Sequence, residues 1–290
     1  MLYQLSYLAR SGHSVAGAAL RRFLSMPPDL AAAFRALHAR ERLFLMPNPW
    51  DVGSAKLLRS LGFEALATTS AGLAWSLGKL DMQVTRGELV AHVRALAAAT
   101  PLPLNVDSER CFPDDPGGVA ETARVLAEAG AAGFSIEDFD PRSGRIEDLE
   151  TATARVTEAA QAKGDLVLTA RAENHLHGID DLDDTIARLA AYRDAGADVV
   201  YAPGLRDLAQ IEAVVAAVAI PVNVLALPGG PSVAELAAAG VRRVSTGGAL
   251  ARAGYGALLR AATELRDSGT SAYAKEGAPM DAFAEAFRPR

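Results

Sequence analysis

The stretch VLAEAGAAGFSIEDFD, residues 125–140, holds one complete structural period. Apolar side chains at helical spacing run to Ala129, and Gly130 stands where a left-handed residue closes a helix. Gly133 to Asp138 then reads as a short strand ending in two acids. The same order of helix, glycine and strand recurs at Gly62 in "LGF", at Gly196 in "AGAD" and at Gly240 in "AGV". A unit that repeats in this way is the pattern of βα repeats and a parallel sheet.

Working outward, strands are expected at Leu43 to Pro47, Ala65 to Ser70, Leu102 to Glu109, Gly133 to Asp138, Leu166 to Arg171, Val199 to Pro203, Pro221 to Ala226 and Arg243 to Thr246. Helical patterns fill the intervals: Ser54 to Leu61, Glu88 to Ala98, Val119 to Ala129, Leu149 to Ala162, Leu182 to Ala195, Leu208 to Val218, Val233 to Ala238 and Ala249 to Arg266. Eight units favour closure into an α/β fold of the (β/α)8 TIM-barrel class. An open doubly wound sheet would carry a GxGxxG after its first strand, and no such fingerprint is present. At 290 residues and 50% hydrophobic, the chain suits one domain, with the barrel over 29–267.

Residues 1–28 lack acids and carry Arg10, Arg21 and Arg22. This faintly resembles a targeting segment, although Arg10 and His13 break its apolar core. The segment reads otherwise as a disordered or loosely docked extension, or as sequence upstream of a true start at Met26. Residues 268–290 read as a C-terminal helix that packs on a neighbour, or as a flexible tail. A net charge of −6 offers no basic surface for nucleic acid. Cys111 is the single cysteine, so no internal disulfide forms and a reducing, cytoplasmic setting is expected. No apolar run reaches the roughly 18 residues of a membrane span, so no membrane partner is expected.

In a closed barrel, catalytic groups gather where strands end. Strand three runs "PLPLNVDSER" and strand four "AAGFSIEDFD", so Asp107, Glu109, Glu137 and Asp138 fall at neighbouring carboxyl ends, and Asp107 and Glu109, two apart, are expected on one face. Carboxylates so clustered raise one another's pKa unless a cation lies between them, and Mg²⁺ is the hard, oxygen-seeking ion that suits them. Strand five, "LVLTARAENHLHG", brings Arg171 to the same rim, where its fork suits a small anionic substrate. Other groups carry weaker signals. His175 and His177 read as solvated loop residues, Cys111 has no His partner, and none of Lys56, Lys79, Lys163 and Lys275 ends a strand. The "STGGALARAG" run reads as a tight turn rather than a phosphate cradle.

Five segments in order resemble the isocitrate lyase and phosphoenolpyruvate mutase superfamily, in particular its short bacterial members. They are "NPWDVGSAKLLRSLGFEALATTSAGLAWSLG" (48–78), "VDSE" (106–109), "AGFSIEDFDPRSGRIED" (132–148), "TARAENHLHG" (169–178) and "PVNVLALPGGPSVAELAAAGVRRVSTGGAL" (221–250). The resemblance implies Mg²⁺ bound directly by Asp107, with Glu109, Glu137 and Asp81 acting through its waters. It also implies that Thr69, Ser70 and Ala71 hold the substrate carboxylate and that Arg171 faces the reacting end. The expected activity is that of a lyase or decarboxylase on an oxaloacetate-like 2-oxo or 2-hydroxy dicarboxylate, through a pyruvate-type enolate, in a homo-oligomer. The alternatives are a hydrolase or mutase of a carbon–phosphorus bond and a catalytically silent metabolite-binding protein. The family's "KKCGH"-like acid loop is replaced by "DFDPRSGR", which argues against isocitrate and methylisocitrate cleavage. Its "GYG" turn is replaced by Arg110, Cys111, Phe112 and Pro113, leaving Arg110 to bind the substrate anion or to occupy the cation's place.

Overall fold

The computed structural model describes residues 29–288, so the reading of residues 1–28 lies outside the described residues. In chain order the elements are α1 (Leu30–Ala39), β1 (Phe44–Met46), α2 (Val52–Ser60), β2 (Leu66–Ala67), α3 (Ser70–Ser76), α4 (Arg86–Ala99), β3 (Leu104–Asp107), α5 (Gly118–Glu128) and β4 (Gly133–Glu137). A small hairpin, β5 (Phe139–Asp140) and β6 (Arg145–Ile146), precedes α6 (Leu149–Ala162), β7 (Val167–Arg171), α7 (Leu182–Asp194), β8 (Val199–Tyr201), α8 (Leu208–Val218) and β9 (Val222–Leu225). The chain ends with α9 (Val233–Ala238), β10 (Arg243–Ser245), α10 (Ala249–Ser268) and α11 (Met280–Ala286).

Many helix starts are written locally. Asp51, Thr85 and Ser232 each form a capping box with Ser54, Glu88 and Glu235, and Asp148, Asp181 and Asp207 cap α6, α7 and α8. Helix ends follow the expected glycines, since Gly62, Gly130, Gly196 and Gly240 all have φ between 83° and 104°.

The eight larger strands are parallel in the order β1-β10-β9-β8-β7-β4-β3-β2. The ring closes between β1 and β2 through Ala67 N–H donating to Pro47 O at 3.1 Å and Asn48 Nδ2 donating to Thr68 O at 2.6 Å. Because barrel strands tilt, one row of register partners climbs from floor to mouth: Phe44, Arg243, Asn223, Tyr201, Arg171, Glu137. The larger apolar core lies between strands and outer helices, with Leu104, Phe134 and Leu168 fully buried.

A second core plugs the floor. Helix α1, capped by Asp29, drives Phe34 and Leu37 against Phe44, Met46, Ala132 and Val167. Burying Phe34 contributes about 2–3 kcal/mol. A Cβ on Gly133 would meet the Phe34 ring at 2.9 Å and Val167 O at 2.6 Å, so glycine is required where the plug enters. At the other terminus α11 folds back onto its own chain: Arg59 Nη2 donates to Ala286 O at 3.0 Å and Ala286 is fully buried. The C-terminal stretch thus contains a helix, docked on α2 of its own chain. Among the described residues, no helix is long and apolar enough to cross a membrane.

Candidate active site

A cavity of about 230 Å³ opens at the carboxyl ends of the strands and runs into the barrel, lined by Ser70, Asp81, Asp107, Arg171 and Tyr201 among others. Asp107 ends β3, where its Oδ2 accepts from Ser70 N–H at 3.0 Å and its Oδ1 from Arg171 Nη1 at 2.7 Å. Thr68 Oγ1 accepts from Asp107 N–H at 2.8 Å and fixes the strand end. Arg171 ends β7 and reaches three acids. Besides Asp107 it meets Glu137 Oε2 at 3.1 Å through Nη1 and Glu173 Oε1 at 2.8 Å through Nε, with the Tyr201 ring 5.4 Å away. Among the described residues its Nη2 has no protein partner.

Burial works against the charge of Arg171, but Glu173, Glu137 and Asp107 outweigh it and hold the guanidinium protonated. The acids outnumber the cation, and their titration shows it. Burial, then Asp107 and Asp81, push Glu109 up to about 8; burial lifts Glu173 to about 7 and Glu137 well above the carboxylate range. Asp81, exposed at the rim, is raised by desolvation of its carboxyl and by Asp107. Oxygen donors in excess of positive charge have the chemistry that a hard divalent ion suits.

Thr69, Ser70 and Ala71 line the cavity, as a helix start rather than a loop: Thr69 caps α3, its Oγ1 accepting from Gly72 N–H at 3.3 Å. Three expectations change. The strand alternation expected to set Glu109 beside Asp107 does not apply, because β3 stops at Asp107 and Glu109 has φ 51°, although its carboxyl still feels the charges of Asp107 and Asp81. Its carbonyl accepts from Glu137 N–H at 3.0 Å. Asp138 leaves the cluster: Oδ2 accepts from Tyr192 Oη at 2.7 Å and Oδ1 from Glu173 N–H at 2.9 Å, so it braces Glu173 from outside. Arg110 turns away from the cavity, reaching Asp140 at 2.9 Å and Glu147, while Arg155 Nη1 donates to Arg110 O at 3.2 Å. It neither faces the substrate space nor takes the cation's place; Arg171 is the cation among the acids. Arg110 instead anchors a loop in which Glu109, Cys111 and Phe112 are all left-handed, each at a cost of about 1–2 kcal/mol.

His177 stacks on Phe139 at 3.7 Å, and burial pushes the Cys111 thiol up to about 12, which removes it as a nucleophile at neutral pH. The "STGG" run is a turn, its Thr246 and Gly247 N–H groups both donating to Asn48 Oδ1 at 2.9 Å. Glu173, Asn48 and Arg243, which line or brace the cavity, were not singled out by sequence reasoning. Glu173 carried a signal: it lies two residues past Arg171.

Residues 34–266 match the family model described as phosphoenolpyruvate phosphomutase. An uncharacterized protein of Mycobacterium tuberculosis is 34% identical over 239 residues, covering 81% of this chain and 89% of that one. An oxaloacetate decarboxylase of Ectopseudomonas mendocina is 30% identical over 244 residues (80% and 82%), and a probable 2-methylisocitrate lyase of Corynebacterium glutamicum 32% over 203 (67% and 66%). Among solved structures, a candidate lyase/mutase of Burkholderia cenocepacia superposes with TM-score 0.85 at 53% identity, covering 90% of this chain and 96% of that one. Oxaloacetate acetylhydrolase holding its product oxalate superposes with TM-score 0.80 at 28% identity (90% and 95%).

Proposed function

The chain belongs to the isocitrate lyase and phosphoenolpyruvate mutase superfamily, and from that premise we propose a Mg²⁺-dependent carbon–carbon lyase or decarboxylase of a small 2-oxo or 2-hydroxy dicarboxylate, with oxaloacetate the first compound to test. The observation that carries this reading is Arg171, gripped by Asp107 and Glu173 while its Nη2 is left for a substrate anion.

The donor set fits Mg²⁺. Among the described residues no three acids or imidazoles converge as they stand. An ion there would be held by Asp107 directly, with Asp81, Glu109 and Glu137 acting through water. When bound, Mg²⁺ supplies Lewis-acid stabilisation of the negative charge of an enolate. The chain supplies the rest: Ser70 and Ala71 seat the substrate carboxylate at the start of α3, Arg171 fixes its orientation, and Tyr201 and Leu176 shield the pocket from bulk water. The exposed leucines of α10, Leu258, Leu259 and Leu265, are the face we assign to subunit contact in a homo-oligomer.

Titration with Mg²⁺ and oxalate, a mimic of the pyruvate enolate, tests this. The wild type binds oxalate only with the ion, and Asp107→Ala loses at least a hundredfold. Binding that needs no metal and survives that substitution would sink the reading. A substrate panel for the wild type includes 2-methylisocitrate, because of the Corynebacterium relative, although residues 138–145 lack the cysteine loop that this activity uses in the family. Tight metal-dependent binding without turnover on the panel favours the silent metabolite-binding protein.

A further inference from the structure

The barrel interior holds a positive charge with no carboxylate beside it. Arg243, 1% exposed, donates from Nε to Asn223 Oδ1 at 2.9 Å and from Nη2 to Thr169 Oγ1 at 3.0 Å, and its Nη1 lies 3.1 Å from His38 Nε2. The state of His38 follows from its other contact. Nδ1 lies 2.8 Å from Phe34 O, and a carbonyl oxygen only accepts, so Nδ1 carries the ring proton and Nε2 accepts from Arg243. Burial and then Arg243 hold His38 neutral, with its pKa near 3. All three partners of the guanidinium are therefore uncharged, and among the described residues it forms no ion pair. Three of its five N–H groups are engaged, leaving two.

A second group in the same cavity is also unpartnered. Asn105, on β3 and 4% exposed, has a fully buried Oδ1 with no hydrogen-bond partner. Leaving such an atom unpaired is costly, and a buried charge without a counterion is costlier still. An anion resting on Arg243 would supply the missing counter-charge, and a half-turn of the Asn105 side chain, which exchanges Oδ1 with Nδ2, would turn the amide Nδ2 to donate to it.

We propose that the inner end of the cavity, floored by Arg243 and walled by Asn105, is a carboxylate subsite that receives the distal carboxylate of a dicarboxylate whose 2-oxo end lies between Ser70 and Arg171. One small cavity is lined by all four residues, so a single small molecule reaches both ends. The assignment of the outer end rests on the proposed function; the uncompensated charge of the inner end does not. A monocarboxylate would leave Arg243 without its counter-charge, which makes the subsite a selector of dicarboxylates.

Calorimetry with Mg²⁺ separates the two ends. Oxalate fills the outer end alone, and 3,3-difluorooxaloacetate adds the distal carboxylate. Arg243→Met and Asn105→Leu, each checked for folding by its melting temperature, are expected to weaken difluorooxaloacetate at least tenfold and to leave oxalate within twofold. Equal losses for both ligands, or no loss for either, overturn the subsite. If Arg243→Met does not fold, Asn105→Leu decides by the same two readings. Should the wild type bind neither ligand, the outer-end reading has failed, and the inner subsite is then judged from crystals soaked in sodium bromide. An anomalous peak against Arg243 supports it, and a peak-free inner end overturns it.

Discussion

Mouth and floor of this barrel each bury an arginine, and the two are solvated in opposite ways. Arg171 stands among Asp107, Glu137 and Glu173, while Arg243 stands among Asn223, Thr169 and a neutral His38. The same register row joins them, yet the mouth has more acid than cation and the floor has cation without acid. An interior arranged this way is complementary to the two charges proposed above, a metal ion outside and a carboxylate inside. Folding alone would favour placing the two in contact. Their separation is what the two proposed ligands would call for, in keeping with the rule that buried ionic groups are weak evidence for stability.

The strongest way to break the contrast is to remove the mouth's own cation. Arg171→Gln strands Glu137 and Glu173 without their partner, and should cost about 3–5 kcal/mol of stability together with most oxalate binding. Urea denaturation and calorimetry measure the two effects, and an unchanged denaturation midpoint would refute the ion-pair account of the mouth.

pH separates the regions next. In metal-free protein Glu109, near 8, and Glu173, near 7, both lie above the ordinary 4.5, so the folded state holds protons that the unfolded chain has released. Their contribution to stability falls as pH rises from about 4.5 to about 8 and levels off above it. His38, near 3 against an ordinary 6.5, acts the other way: the unfolded chain takes up the proton, so its contribution rises from about pH 3 to about 6.5. Melting curves in a chelator should therefore show a falling limb that Glu109→Gln flattens and a rising limb that His38→Gln removes. Saturating Mg²⁺ should abolish the first limb alone.

The smallest effect is expected at Arg110, outside both regions. Arg110→Gly loses the pairs to Asp140 and Glu147, but Arg155 keeps hold of Glu147, so the cost should be about 1–3 kcal/mol. Oxalate affinity should fall by less than tenfold as the left-handed loop loosens around Glu109. A gain in activity would instead mark Arg110 as a blocking residue and contradict its observed orientation.

The eight strands and glycine-closed helices were legible because their signals are local: a cap, a left-handed glycine, a short apolar run. Asp107 and Arg171 were legible for a related reason, since charge at the end of an apolar strand is conspicuous. The face of Glu109 was not, because a non-glycine left-handed turn at Glu109, Cys111 and Phe112 has no composition that announces it. Nor was the plug. Helix α1 has ordinary amphipathic spacing, and its role depends on Arg243, 205 residues further on. Arg243 itself offered a hint, as an arginine inside "VRRVS", a segment otherwise suited to a buried strand. Without knowing where the inner face pointed, that hint had no direction.

The closure by Asn48 carries a consequence for synthesis. Its side chain accepts from Thr246 and Gly247, 198 and 199 residues later, while Nδ2 holds β2. A nascent chain leaving the ribosome therefore carries β1 with one edge open and the Phe34 plug without its full seat until the last strand emerges. Non-local pairings of this kind delay folding until loop closure is complete, and partly made barrels of this length expose edge and apolar surface meanwhile. The β1 strand of this protein and the plug beneath it wait for β10.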